Sequence, residues 1–239
     1  VMRLVGSEMC IRDSILSLNN SLKKGDSIEI TTPFRVKIPS GRFSRLGHIG
    51  QSYQITQWFP KPAVYDVDGW HPLPYLNQGE FYSEFGKYDV SITLPDKYVI
   101  MATGDLQNTE EIKFLNEKAI QTEKLIAENK LPITDTLARK DMSFPKSNTH
   151  YKTVRFIQND VHDFAWFADK RYHVLKGEVK LPSSGRTVET WALFTNNEAK
   201  LWSSAIEYLN DATYYFSKWV GEYPYNHVTA CLLYTSDAA

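Results

Sequence analysis

Histidines and paired carboxylates are the residue types in this chain that could carry out catalysis or hold a metal. Six histidines are present, but none belongs to an H-E-x-x-H pair, the spacing that puts two zinc ligands and a general base on one helix face. His162-Asp163 offers two members of a nucleophilic triad, yet no G-x-S-x-G serine completes it. We therefore interpret this pair as a polar cap on residues 163–167.

Two groups of acidic residues are the other candidates. Asp66 and Asp68 stand just before Gly69, which suggests a calcium loop, but the EF-hand spacing is not met and no glutamate lies at the required distance. We predict a turn there. Glu80 and Glu84 could divide the acid and base roles of a hydrolase, but nothing in a strand-rich segment fixes their separation. Taken alone, these residues define no complete reaction.

The two ends of the chain differ in kind from the rest. Residues 6–14 can be encoded by a transposase adaptor used for sequencing libraries, and residues 231–239 by a stretch that opens with the reverse complement of its later part. We interpret residues 1–14 and 231–239 as adaptor-derived and leave them out of the fold argument, as processing segments are left out.

Setting these ends aside changes what the composition implies. The native chain is expected to begin before Ile15 and to continue after Ala230, so the compartment stays open, export from a bacterium included. Both cysteines, Cys10 and Cys231, fall in the excluded ends, so neither a disulfide framework nor a Cys-ligated metal is expected. A net charge of −1 gives no reason to expect a nucleic acid as partner. No apolar run is long enough to span a bilayer.

Most of the chain has the pattern of short β-strands. Apolar residues alternate, or β-branched residues cluster, between turns that contain Pro, Gly or Asp. These strand signals fall at 25–39, 53–58, 87–94, 98–102, 153–158, 174–181 and 187–194. So many short strands with turns between them are typical of a mainly β fold, a sandwich or saddle-like assembly of sheets.

Two segments break the strand pattern. Residues 110–130 are rich in Glu and Lys with a partial helical stripe, and we interpret them as a charged surface excursion. Residues 198–220 form the strongest predicted helix, capped by Asn197 and ended by Gly221. Its apolar face is Leu201, Ala205, Leu209, Ala212, Phe216 and Trp219. Because this helix follows many strands, it is expected to belong to a second domain that opens after the 182–185 turn.

The most specific pattern in the chain lies around Gln57. The segment is too dense in aromatic residues for a disordered linker. Its motifs are ITQWFPKPAVYD at 55–66, GWH at 69–71, GEFY at 79–82, ATGDL at 102–106 and, downstream, VHDFAWFA at 161–168. Together they resemble the N-terminal domain of aminopeptidase N-type zinc metallopeptidases, the gluzincin family that includes leukotriene hydrolase, and its bacterial members most.

The resemblance covers nearly all of residues 15–230 and implies a domain order. Residues 15–182 would be a β-rich, sandwich- or saddle-like N-terminal domain, and residues 183–230 the truncated start of an α+β, thermolysin-like catalytic domain. The helix after Asn197 would be the first helix of that domain. Residues 223–230 would form the strand that leads to the family's G-x-M-E-N exopeptidase loop.

The resemblance also implies a zinc-dependent metallopeptidase, an aminopeptidase that hydrolyses the N-terminal bond of a peptide substrate. In the family two histidines and a glutamate hold zinc, the glutamate of H-E-x-x-H is the general base, and a tyrosine stabilises the oxyanion. All of these residues would lie beyond Ala230, so this chain contains no catalytic residue and is expected neither to bind the zinc nor to hydrolyse peptides. The alternative is a non-catalytic binding or scaffold relative that has lost the zinc motif.

Gln57 is the residue of this chain to which the resemblance assigns a substrate contact. The family uses a glutamine, often in a T-Q-x-E arrangement, where its N-terminal domain reaches the cleft, and Thr56-Gln57 matches. Phe59 stands where many aminopeptidases carry a glutamate for the substrate's free amino group, so one anionic contact is missing. The alternative is that Gln57 only forms hydrogen bonds at a strand end.

The aromatic residues leave one further alternative, an unrelated β-sandwich that binds carbohydrate. This function requires a flat surface platform built from Trp58, Trp70 and Tyr75. The metallopeptidase interpretation instead expects most of these rings to be buried at sheet and domain contacts.

Overall fold

The structure, a computed structural model, describes residues 16–18, 21–41, 45–72, 82–131 and 143–232. The chain divides into two compact units. Unit 1 holds the residues up to Lys37 together with Trp58–Phe85, and unit 2 holds Ile38–Gln57 and the chain from Gly86 onward. The fold is mainly β, as the sequence predicts. None of the helices described is long and apolar enough to cross a membrane.

The elements follow one another along the chain as twelve strands and three helices within the described residues. The strands are β1 (Gly47–Ile49), β2 (Ser52–Ile55), β3 (Val64–Asp66), β4 (Gly69–His71), β5 (Gly86–Pro95), β6 (Val99–Ala102), β7 (Asp105–Leu106), β8 (Tyr151–Val161), β9 (Trp166–Asp169), β10 (His173–Lys180), β11 (Thr187–Phe194) and β12 (His227–Cys231). The helices are α1 (Thr109–Ala127), α2 (Ala199–Trp202) and α3 (Ala205–Trp219), and a 3-10 turn at Asn196–Glu198 precedes α2.

Among the described residues, unit 2 contains three sheets. The first has the order β1-β2-β9-β6 and the second the order β5-β8-β7, and all their neighbouring strands are antiparallel. The third has the order β10-β11-β12, in which an antiparallel hairpin is extended by a parallel strand. The parallel pair needs a crossover connection, and α2 and α3 supply it.

The third sheet sits between the first sheet and the helices α2 and α3. Val99 and Met101 of β6 share one buried cluster with Val174 and Leu193 of the third sheet. On the other face, a second buried cluster joins Phe194 to α2 and α3. Alternation along β11 therefore places neighbouring side chains in two different cores, as the pleat of a strand requires.

The strand predictions from 87 onward are confirmed, and one earlier prediction is wrong. The segments predicted at 87–94, 98–102, 153–158, 174–181 and 187–194 are β5, β6, β8, β10 and β11, and the one at 53–58 is β2, which ends at Ile55. The described residues 25–39 form no strand, and Ile28 and Ile30 are about half exposed. Pro33 removes a backbone donor there, and no described strand pairs with the segment, so the alternation has no sheet to face.

The prediction that residues 110–130 form a charged surface excursion is wrong. It forms α1, in which Leu115 and Ala119 are buried in the cluster that contains Val174. The helix covers the free edge of β10, because the hydroxyl of Thr122 accepts a hydrogen bond from the backbone N–H of Val174 at 3.2 Å. Composition counts the charges on all sides of a helix, whereas the core needs an apolar residue only at every third or fourth position.

The strongest predicted helix is present but divided. Ser203 and Ser204 separate α2 from α3, and Asn197 lies in the preceding 3-10 turn instead of capping the helix. The helix ends at Trp219, two residues before Gly221, close to the predicted end. Ser204 and Glu198 precede the two helices, and neither forms a side-chain capping bond.

The expected domain boundary falls at the turn of the β10–β11 hairpin. Its strands pair without interruption from His173 with Phe194 to Lys180 with Thr187. The residues on both sides of the 182–185 turn therefore share one sheet and one compact unit. The division into an N-terminal and a catalytic domain at 182/183 stays a prediction.

Candidate functional site

Gln57 lies just beyond β2, at one end of the first sheet. In this sheet Trp166 on the central strand β9 is flanked by Ile55 and by Ala102. The next residue, Thr103, donates its backbone N–H to the carbonyl of Ala165 at 2.9 Å. Gln57 therefore leaves the sheet at the same end as Thr103 and Ala165.

The backbone of Gln57 is in the left-handed region, with φ of +52°. The other non-glycine residues with positive φ in the described chain are Asn129 and Asp160, types that tolerate this region because their short polar side chains bond locally. A glutamine lacks that advantage, and the conformation costs it about 1–2 kcal/mol. Strain of this kind concentrates at functional sites, which makes an observed outlier a reason to suspect one.

The start of β12 is tied to the same end of the first sheet. The Nε2 of His227 lies 2.8 Å from the carbonyl oxygen of Gly104, and the side-chain amide of Asn226 donates to Asp105 at 2.7 Å. From there β12 runs away from the Gln57 end for five residues, about 16 Å at the rise of a strand.

A hydrogen-bonded pair that the sequence analysis did not propose occurs in unit 1. The β3–β4 hairpin brings His71 Nε2 to 2.7 Å from Asp66 Oδ1, and the hydroxyl of Tyr82 lies 3.4 Å from the other carboxylate oxygen. The His71 hydrogen bond, then the Asp68 N–H, hold the pKa of Asp66 below its usual range. The signal was available, since an Asp and a His five residues apart can meet across a two-residue turn.

The Asp66–His71 pair explains the turn predicted at this point, which is confirmed. Asp66 Oδ1 also accepts the backbone N–H of Asp68 at 2.9 Å, and Gly69 has φ of +103°. In triad enzymes an aspartate orients the imidazole and stabilises its protonated form. Within the described residues, the bonds of Asp66 to His71 and to the N–H of Asp68 brace the hairpin.

The His162-Asp163 pair has the capping role that the sequence predicts. Asp163 Oδ1 accepts the backbone N–H of Phe164 at 2.8 Å, and the Phe164 side chain is fully buried. The carbonyl of His162 accepts the hydroxyl of Tyr88 at 3.3 Å. These bonds fix the chain just before β9.

The carboxylate pair considered above consists of Glu80 and Glu84. Glu80 lies outside the described residues, and Glu84 is exposed on unit 1.

The aromatic residues of unit 1 form no flat platform within the described chain. Trp70 is 67% exposed and Tyr65 is 66% exposed, but their rings are inclined by 58°. Trp58 is half-buried between Phe34 and Phe59. The expectation that most rings are buried is therefore wrong for the hairpin, and Tyr75 lies outside the described residues.

The described residues do not fit a catalytic zinc. Nowhere in the part of the chain that the structure describes do three or more His, Cys, Asp or Glu side chains come together as metal ligands. No protein-family model and no curated protein matches the sequence.

Proposed function

We propose that this chain is the front portion of a zinc-dependent metallopeptidase of the aminopeptidase N type, whose zinc ligands lie on polypeptide beyond Ala230. The observation that carries the proposal is the order of elements after the hairpin. A helix of 15 residues, α3, connects two parallel strands, β11 and β12. This order supports the proposal because the resemblance expects a long helix after Asn197 and a strand over 223–230.

The proposed substrate is a peptide, and the proposed contact in this chain is Gln57. A side-chain amide both donates and accepts hydrogen bonds, so it can bind the polar groups of a peptide's first residues without adding charge. Phe59 offers no carboxylate to a free amino group, and the ammonium of Lys61 lies 5.4 Å from its ring centre. In this proposal the anionic contact for the substrate's amino end comes from the polypeptide beyond Ala230.

The test begins with the gene past the codon for Ala230. We expect it to encode H-E-x-x-H with a downstream glutamate, and we expect the purified parent protein to hold one zinc ion per chain. The parent should release the amine from an aminoacyl anilide, lose this activity with a chelator and regain it with zinc. An N-acetylated anilide is the matched control, because an aminopeptidase requires the free amino group. A parent that continues without such ligands and binds no zinc would overturn the proposal and favour the scaffold alternative.

The role of Gln57 is tested in the parent by a pair of substitutions. Gln57→Ala and Gln57→Gly both remove the amide, and glycine also removes the strain of the positive φ. A substrate contact predicts that both variants raise KM for peptides to a similar degree. If Gln57 merely bonds at a strand end, KM stays at the wild-type value in both.

A further inference from the structure

Residues 27–37 form an extended segment whose backbone is not paired. In the part of the chain that the structure describes, no hydrogen bond between two backbone groups involves them. One local bond is present, from the hydroxyl of Thr32 to the carbonyl of Pro33 at 3.3 Å. Backbone N–H and C=O groups that no other part of a protein satisfies must bond to water. The segment therefore still has the backbone groups with which a strand joins a sheet.

The side chains of this segment alternate as they do in a strand. Polar residues and Pro33 occupy its odd-numbered positions. Large apolar residues occupy all its even-numbered positions except that of Thr32, and their side chains are 41–53% exposed: Ile28, Ile30, Phe34 and Val36. Because these apolar side chains share one face, a sheet that received the segment would bury them together.

One strand of the described chain has an edge long enough to receive this segment. β5 has 10 residues and, within the described residues, β8 as its single neighbour. The other strands at sheet edges in the described chain have two to five residues, apart from β10, whose edge α1 covers. The segment has 11 residues, so β5 is the edge whose length fits it.

Half of the β5 edge has none of the features that protect edge strands from pairing. Proteins protect such edges with charged residues, prolines and bulges. β5 has Lys87, Asp89 and a register irregularity between Gly86 and Tyr88 at its beginning. From Val90 to Leu94 the strand contains no charge and no proline, and its register with β8 is regular. This half of β5 is an open edge.

The two faces of the segment match the two faces of β5. Ile92 and Leu94 are buried on one face of β5, and Ser91 and Thr93 are exposed on the other. Residues directly opposite each other in paired strands share a face, so the apolar side chains of the segment would extend the buried face. Pro33 lies on the polar face, with the residues whose N–H groups would point away from β5. Proline is tolerated there, because an outermost strand needs no bond on that side.

We propose that residues 27–37 of one copy of this chain pair along the open edge of β5 in a second copy, and that the exchange is reciprocal. Each copy has both the segment and the edge, so two such pairings related by a twofold axis close a dimer. A net charge of −1 leaves little repulsion between the copies. The dimer forms from the 239-residue chain alone and is independent of the proposed peptidase activity.

Two neighbouring substitutions test whether the apolar face of the segment holds the dimer together. Ile30→Lys places a charge on that face, and Thr31→Lys places the same residue on the polar face. Neither position belongs to a described helix or strand, so the far-ultraviolet circular dichroism of both variants should match that of the wild-type chain. Sedimentation velocity over a range of protein concentrations measures the association of all three proteins.

We expect the wild-type chain and Thr31→Lys to form dimers of similar affinity. Ile30→Lys should weaken the dimer about tenfold or more, because an inward-facing charge blocks the pairing of an edge strand. Hydrogen exchange of residues 27–37 should slow as the concentration of the wild-type chain rises. A chain that stays monomeric at every concentration, or a dimer that Ile30→Lys leaves intact, would overturn the inference.

A fluorescent peptide of residues 25–39 identifies the edge that receives the segment. The Ile30→Lys chain cannot donate its own segment but keeps its β5 edge, so it should bind the wild-type peptide and not a peptide with the same Ile30→Lys change. Binding should slow hydrogen exchange several-fold at Val90–Leu94. β12 is the control, because it is an edge strand of only five residues. Protection of a strand other than β5 would refute the pairing.

Other pairings of the segment give different results. Slow exchange of residues 27–37 that is the same at every concentration means that the segment pairs within its own copy. Sedimentation of species that grow without limit means that the exchange is open and builds filaments. Either result overturns the closed dimer. The proposed function fails independently, because neither the zinc content nor the activity of the parent enters these measurements.

Discussion

Replacing Gly177 by alanine tests the contact that orients α3. The new Cβ would stand 2.4 Å from Cγ2 of Ile206, a distance at which one of the two groups must move. Gly86 is the matched control. It begins β5, and an added Cβ there would have no atom within 4 Å. Neither glycine has a positive φ, so alanine is compatible with both backbones.

The change in the free energy of unfolding that we expect for Gly177→Ala is the balance of two opposing effects. Overpacking of this kind costs about 1–3 kcal/mol, and alanine recovers about 0.4–1 kcal/mol by restricting the unfolded chain. Gly177→Ala should therefore lower the free energy of unfolding by about 1–2 kcal/mol. Gly86→Ala, which meets no atom, should raise it by about 0.4–1 kcal/mol. For a chain of this size, 1 kcal/mol shifts the thermal midpoint by about 2–4 °C.

Urea unfolding followed by far-ultraviolet circular dichroism measures both variants, and Ile206→Ala completes a double-mutant cycle. Ile206→Ala alone loses packing and is destabilising. In the Gly177→Ala background it also removes the clashing methyl, so its cost should fall or vanish, with a coupling energy of about 1–2 kcal/mol. Equal stability of Gly177→Ala and Gly86→Ala, or additive effects in the cycle, would show that α3 does not approach β10 at this point.

Three further predictions concern charge and strain. Lys152→Met should cost about 3–5 kcal/mol, because Lys152 Nζ lies 2.6 and 2.8 Å from the carboxylate of Glu111, whose side chain is 7% exposed. Burial raises the pKa of Glu111, so the free energy of unfolding should fall as pH rises from about 4.5 through the raised pKa. The fall should be steeper in Lys152→Met. A urea midpoint that does not change with pH would contradict this. His71→Phe, which keeps a ring but removes the donor, should return the pKa of Asp66 toward its ordinary value in a carboxyl NMR titration, since the His71 bond lowers it most. The stability that Asp66 contributes is present above that ordinary value and is lost as pH falls through the lowered pKa. Gln57→Gly should be more stable than Gln57→Ala by about 1 kcal/mol in urea, and equal midpoints would argue against a left-handed backbone there.

The strands of unit 2 from β5 onward were predictable because the alternation of their residues and their pairing with neighbouring strands favour the same structure. β5 alternates along its length and pairs with β8 over nine registered positions, so local preference and sheet context favour the same structure. Residues 25–39 have a similar alternation but form no strand. Alternation shows which side chains could face a core. A strand also needs a neighbouring strand whose backbone groups form hydrogen bonds with its own, and the pattern does not reveal whether one is present.

Part of the candidate site was predictable in the same way. The strand pattern predicts a strand over 53–58 that contains Gln57, whereas β2 ends at Ile55 and Gln57 lies beyond it. Its φ of +52° has no sequence signal, because glutamine is not a residue that favours this region. The Asp66–His71 bond depends on a hairpin register, and a shift by one residue would turn His71 to the opposite face. Side-chain contacts across a turn become visible only once the register is known.

The helix α3 shows why the most apolar face of a segment need not be the one that packs. The sheet accepts α3 where Gly177 leaves room for Ile206, which packs in the cluster around Phe194, and where Asn210 donates to the carbonyl of Glu178. The large side chains on the other side of the helix, those of Tyr208, Tyr215, Phe216 and Trp219, are 43–73% exposed, so each gains only part of the roughly 1.5–3 kcal/mol that full burial supplies.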